Sequence, residues 1–362
     1  MPSLYPPSDI IEYHRVEYPG DLLPPEEHCV DVGVLDMNHG WHNLGHDAIV
    51  LHLYSMAQRI RSPLASANLR LRIFSYDVRR SLQVPEIGRF PLLIGTGGPG
   101  HIDPRENDGV SATAQGVDED PSWEEPLRAL FDSILRAGDP TALVAICHTY
   151  AVLCRLTGLA TPVLRSVRKG GKSTGVVPNV LTPEARKHPF YVRLSQFLPE
   201  TSALRVTDNR LFDLVEGPAN GHPFLRLGYE GDENGTPGEA LTMVEFARDR
   251  EGIMPRVLGI NHHPEVVGRN YIRRVLESKW DRGEVTRAWH DERMKTLEKH
   301  FSGEFDQQIR LTSIFTFLAP VEFHLQRIVR ERRQSLGLDG ALDENMVILG
   351  AEAAASMEAI TS

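Results

Sequence analysis

The sequence predicts an α/β protein built on a doubly wound, mostly parallel sheet. Three observations lead there. Short apolar, β-branched runs recur at Cys29, Leu69 and Phe90. A helix-period segment separates the first two. A further apolar run at Thr141 passes straight into a helix.

Taken in order, residues 1–28 are dominated by proline and carboxylates and predict an extended N-terminal arm, with order beginning near Cys29. CVDVGVLDM (29–37) reads as the first strand. HDAIVLHLYSMAQRI (46–60) sets Ile49, Leu53, Met56 and Ile60 at helical spacing, and LRLRIFSYDV (69–78) returns as a strand. FPLLIGTGG (90–98) is an apolar run ending in glycines. QGVDEDPSWEEP (115–126) has no apolar period and five carboxylates, so it predicts a solvated loop before the helix LRALFDSILRAG (127–138).

TALVAIC (141–147) is a buried-type strand that runs into HTYAVLCRLTG, a helix ended by Gly158. Residues 165–255 alternate strand-like pieces with Gly and Pro turns and predict an irregular pocket wall, before the strand RVLGIN (256–261). Beyond Glu265 the chain reads as helical, with apolar sets at Leu311, Ile314, Phe315 and Leu318, then Leu325, Ile328 and Val329. The expected organisation is an arm over 1–28, a main domain over 29–268 and a helical C-terminal extension over 269–362.

A formal net charge of −10 argues against nucleic acid as a partner, which needs clustered positive charge. Three cysteines, Cys29, Cys147 and Cys154, are too few for a disulfide framework and point to a reducing, cytoplasmic compartment. No stretch approaches the ~20 apolar residues of a membrane span, and no leader pattern opens the chain.

Cys147 carries the chemical signal. A thiol at a sharp strand-to-helix turn is exposed, close to backbone N–H groups and near a helix N-terminus that favours thiolate. Two further motifs accompany it. GTGGPG (95–100) ends a strand with glycines that let backbone N–H groups turn toward a developing oxyanion. GINHHPE (259–265) ends a strand with His263 and a carboxylate two positions on, so Glu265 can reach the imidazole and fix its tautomer.

GGPG, the strand-to-helix AIC and HPE, in that order, resemble the class I glutamine amidotransferase family over roughly residues 29–268. The resemblance implies a class I glutamine amidotransferase-like fold. It also implies Cys147 as nucleophile, His263 as base, Glu265 as its orienting partner, and oxyanion donors around Gly98, Pro99 and Gly100. It implies no metal and no cofactor.

The elbow departs from the family's G-x-C-x-G-x-Q, carrying Ala145, Thr149 and Ala151 instead. Thr149 and Tyr150 are therefore expected to line and narrow the substrate site, which disfavours glutamine. His148, beside the nucleophile, is the alternative base found in the intracellular-peptidase branch of the same superfamily. Asn261 is placed on the His263 side as a ligand contact, and His262 on the opposite side as structural.

His39, His42, His46 and His52 follow the first strand at no defensible zinc spacing and are read as loop or substrate contacts. RKGGKSTG (168–175) lacks the first glycine of a phosphate loop and reads as a turn in the pocket wall. Arg327, Arg330, Arg332 and Arg333 read as a solvated helix face.

The chain is thus expected to be a cysteine-dependent hydrolase or amidotransferase acting on a C–N amide bond of a small molecule through a thioester. Transfer of the amide nitrogen would need a separate synthase partner chain. Otherwise the C-terminal helices are expected to form a homodimer. The competing reading is a catalytically silent homologue that binds a metabolite or scaffolds a complex.

Overall fold

A computed structural model describes residues 8–165, 169, 171–196, 203–217, 223–267, 269–300 and 305–338. Twelve strands form its sheet framework: β1 Ile11–Val16, β2 Cys29–Asp36, β3 Arg70–Asp77, β4 Leu92–Gly95, β5 Ala142–Ile146, β6 Ala160–Leu164, β7 Ser173–Leu181, β8 Ala203–Arg210, β9 Phe212–Glu216, β10 Leu225–Gly231, β11 Pro237–Arg248 and β12 Pro255–Ile260. The spatial order is β1-β3-β2-β4-β5-β12-β11-β10-β7-β8. The first six of these run parallel, and every pairing from β12 onward is antiparallel.

The parallel half is covered on both faces, which is the doubly wound arrangement expected. Helix α1 (Leu44–Arg59), extended by the short α2 (Arg61–Ser66), packs on one face, and α3 (Glu124–Ile134) with α4 (His148–Thr157) on the other. Strand β5 shows why its sequence is continuously apolar. Ala142, Val144 and Ile146 enter the core under α1, while Leu143 and Ala145 enter the core under α4.

Two short helices, α5 (Pro183–Lys187) and α6 (Val192–Gln196), follow β7. After β12 come α7 (Arg269–Asp281), α8 (Arg287–His300) and α9 (Asp306–Ser313), which continues through a π turn at Ile314–Leu318 into α10 (Ala319–Ser335). The π turn ends just before Pro320, which stands in the first turn of α10 and has no N–H to give to an α-helical ladder.

Three expectations need correction. Order does not begin near Cys29: Ile11–Val16 is the edge strand, paired in parallel with Ile73 and its neighbours on β3, and Ile10, Ile11 and Val16 are buried. The surrounding prolines and acids mask that short apolar run. Residues 165–255 are not an irregular wall, because β7, β8, β10 and β11 extend the sheet as long antiparallel strands. Their alternation is blurred by buried ions: Arg165 and Arg210 both reach Asp213 and Glu230.

The loop at 115–126 is not simply solvated. Glu119 lies buried against Arg79, and Trp123 is buried and donates to Glu119. The C-terminal stripe is also spent inside the chain. Leu311, Phe315, Leu325 and Val329 join the core under α1, and Arg59 on α1 holds the buried Glu322. Of the arginine run, Arg327 and Arg333 donate to the Pro140 and Pro63 carbonyls.

Candidate active site

Parallel strands deliver their C-terminal ends to one edge of a sheet, where open α/β folds bind ligands. Here β4, β5 and β12 are neighbours. The glycine turn after β4, Cys147 after β5 and His263 after β12 therefore stand side by side, although they are far apart in sequence.

Cys147 sits between β5 and α4 with φ 46° and ψ −100°, a conformation that L-residues rarely adopt. Its N–H is fixed by Ile260 O at 2.7 Å, and its C=O accepts from Ala151 N at 2.9 Å. The turn is thus held at both ends, and the thiol is partly exposed to a pocket. Cys29 and Cys154 are buried, and burial pushes both thiols up from their ordinary pKa.

His263 Nδ1 lies 2.8 Å from Glu265 Oε1. Its Nε2 is buried and has no hydrogen-bond partner among the described residues. Burial opposes charge on this imidazole, but the Glu265 and Cys147 charges hold its pKa well above the ordinary histidine value. The His263 N–H is pinned to Thr207 O at 2.7 Å, and the Glu265 carbonyl bonds His52 Nε2 at 3.0 Å. His52 is in turn stacked on Tyr271.

Gly97 borders both Cys147 and His263. A Cβ there would stand 2.8 Å from His263 Cε1 and 3.5 Å from Cys147 Cβ, so no larger residue fits. The rest of the glycine turn is clamped from outside. Arg79 donates to Met37 O and Pro99 O at 2.9 and 2.6 Å, and its guanidinium is itself held by Glu119. Gly100 N donates to Gln115 Oε1 at 3.0 Å, so that expected oxyanion donor is already engaged. The N–H of His148, first in α4, has no helical acceptor.

A cavity of about 250 Å³ opens onto Cys147. Gly98, Pro99, Gly100, His148, Asn261 and His263 are among its lining residues. Asn261 is buried with Nδ2 unpartnered among the described residues. Thr149 and Tyr150 are not in the lining, which corrects the expected narrowing. Thr149 Oγ1 donates to Thr96 O at 2.7 Å, and the buried Tyr150 turns toward Leu241 O and Phe246.

His148 is buried, and burial with the Arg79 and Arg155 charges keeps its pKa well below the ordinary value, so it is neutral. His262 faces the other way, toward Asn179 and Thr316, and burial pushes it down to about 3.

The four early histidines are dispersed. His42 lines the cavity, His46 bonds Ser75 and Asp47, His52 holds the Glu265 backbone, and His39 is in a left-handed turn. Among the described residues no group of three or more His, Cys, Asp or Glu side chains is placed to hold a metal ion. Trp41, Lys172 and Arg293, which the sequence did not single out, also line the cavity. The WHN turn after β2 and the pocket-wall turn at 168–175 hinted at the first two. Residues 166–168 and 170 of the glycine-lysine segment lie outside the described residues.

No family model and no curated protein sequence matches the chain. Among solved structures, it is similar to a glutamine amidotransferase from Thermotoga maritima at 15% identity, over 83% of this chain and 98% of that one, with TM-score 0.44. It is similar to a glutamine amidotransferase from Methylobacillus flagellatus at 14% identity, over 67% and 73%, with TM-score 0.41. The glutaminase domain of Trypanosoma brucei CTPS matches at 9% identity, over 66% and 87%, with TM-score 0.40. These scores are low, and the reading of the site rests on its strand order and side-chain geometry. Among the described residues no helix is long and apolar enough to cross a membrane.

Proposed function

We propose that the chain is a cysteine-dependent hydrolase or amidotransferase that cleaves a C–N amide bond of a small molecule through a thioester. One observation carries this reading: a positive-φ cysteine at a strand-helix turn beside a histidine whose far nitrogen is held by a buried glutamate.

The Cys147 thiolate attacks the carbonyl carbon, and the oxyanion that forms is met by backbone N–H groups at His148 and the Gly98 turn. The His263 imidazolium gives its proton to the amide nitrogen, the C–N bond breaks, and the amine leaves. The neutral imidazole then takes a proton from water as the oxygen attacks the thioester. Carboxylate is released and the thiolate returns. Glu265 holds the ring through Nδ1 in every step. Transfer of the released nitrogen, rather than its loss, would require a synthase chain docked at the cavity.

The test is mass-spectrometric capture of an acyl adduct on Cys147 from a panel of amides that includes glutamine. An adduct is expected in the parent chain and none in Cys147→Ala or His263→Asn, while His148→Asn still acylates. Full turnover by Cys147→Ala would sink the reading, and acylation that needs His148 but not His263 would reassign the base. With Thr149 and Tyr150 turned away, steric crowding no longer argues against glutamine.

A further inference from the structure

A second cavity, about 200 Å³, adjoins the first. Both share His42, Asn43, Asn209, His263 and Arg293 in their walls, and Cys147 lines only the first of the two. Its outer wall is apolar. Leu44, Val266, Ile272, Leu276, Trp289 and Leu297 line it, and four of these form their own buried cluster where α7 and α8 cover the sheet edge.

Its inner wall is different. Thr207 and Asp208 of β8 border it, but their side-chain oxygens are closed off from it: Thr207 is buried, and the fully buried Asp208 carboxylate accepts from Arg210 at 2.7 Å.

From the apolar wall, and from the residues this cavity shares with the one at Cys147, we infer that the second cavity takes an aryl or branched-alkyl substituent of the substrate. The inference rests on the Cys147 reading above and names the substrate class for it. Size agrees: a dry cavity of roughly 150 Å³ accommodates a benzene ring, and this one is larger. The apolar group lies against Leu276, Leu297 and Trp289, and the reacting carbonyl stays at Cys147. A substrate lacking the apolar part leaves that wall in contact with water and binds more weakly.

The test compares alkylation of Cys147 in the full chain by iodoacetamide and by N-benzyl iodoacetamide. In each the thiolate displaces iodide and forms an S–C bond, read by peptide mass spectrometry and normalised to glutathione. The N-benzyl reagent, which differs by carrying the ring, should react about tenfold faster relative to iodoacetamide than it does with glutathione.

That ratio should fall to the glutathione value in Leu276→Phe and in Thr296→Trp. Thr296 lines the same cavity from the half-exposed face of α8, so its variant serves if overpacking at the buried Leu276 prevents folding. A parent ratio equal to that of glutathione, with Cys147 still fast toward iodoacetamide, overturns the cavity assignment alone. A ratio unchanged in both filled variants does the same. A Cys147 no faster than glutathione toward either reagent overturns the thiol reading, and this inference with it.

Discussion

Replacing Gly45 by alanine should disable the site from outside it. Gly45 is in the first turn of α1, which Asn43 caps by accepting from Gly45 N at 2.6 Å and His46 N at 3.2 Å. A Cβ on Gly45 would stand 2.5 Å from Glu265 Oε1, the oxygen that holds His263 Nδ1. Such a contact requires the carboxylate to move by about half an ångström or more, and Glu265 is fully buried. The charge-assisted bond to Nδ1 is worth about 1.5–3 kcal/mol, so its loss corresponds to roughly a ten- to hundredfold drop in rate. Alanine is otherwise the better helix residue by about 0.5–1 kcal/mol, so the fold should survive. The assay is Cys147 alkylation by iodoacetamide near neutral pH, alongside thermal unfolding and the NMR signal of the His263 Nδ1 proton. A Gly45→Ala protein with the parent's alkylation rate and an unshifted Nδ1 proton would refute the idea that Glu265 sets up this histidine.

Three further outcomes are expected. Glu265→Gln removes the foremost charge that holds the His263 pKa up; the imidazolium needed to protonate the leaving nitrogen is then lost at lower pH, and the alkaline limb of the kcat/KM profile should move down, whereas an unmoved limb would exclude His263 as the acid. Cys147→Gly and Cys147→Ala should both be inactive, but the glycine variant should unfold about 2 °C higher, because it relieves positive-φ strain of roughly 1–3 kcal/mol against a glycine entropy cost of about 0.5–1 kcal/mol. Deleting residues 306–362 strips Leu311, Phe315, Phe317, Val321, Leu325 and Val329 from the core. At about 1.5–3 kcal/mol each this rivals a domain's whole stability of about 5–15 kcal/mol, so a soluble fragment with a cooperative thermal transition would contradict the packing.

The parallel half of the fold, apart from its edge strand Ile11–Val16, was legible because its strands are buried on both faces. Cys29–Asp36, Leu92–Gly95 and Ala142–Ile146 have no polar face to break the apolar run, and the three motifs sit at strand ends. The antiparallel half was not legible. Arg205, Arg210, Asp208, Glu216, Arg226 and Glu230 interrupt β8, β9 and β10, and Arg210 with Glu230 and Arg226 with Glu216 pair across strands. A sequence window sees the charges without the pairing. Side-chain direction at the turn was misjudged for a related reason. Thr149 and Tyr150 follow the nucleophile in sequence, but helix geometry rotates them by about 100° per residue, which carries them under β4 and β12.

That division assigns different work to the two halves of the sheet. The parallel half supplies the groups that the proposed chemistry uses: the glycine turn, Cys147 and, at its border strand, His263 with Glu265. The antiparallel half and the C-terminal helices supply what surrounds them. Lys172 precedes β7, Asn209 and Arg210 end β8, Phe212 begins β9, and Arg293 is on α8; all line the Cys147 cavity. The two sets meet at the strand end after β12, where the His263 N–H is held by Thr207 O of β8 and the Asn261 N–H by Thr242 O of β11. A change in β8 therefore bears on the orientation of the histidine as well as on the shape of the cavity. Chemistry and substrate choice are physically joined at those hydrogen bonds, not separated into independent modules.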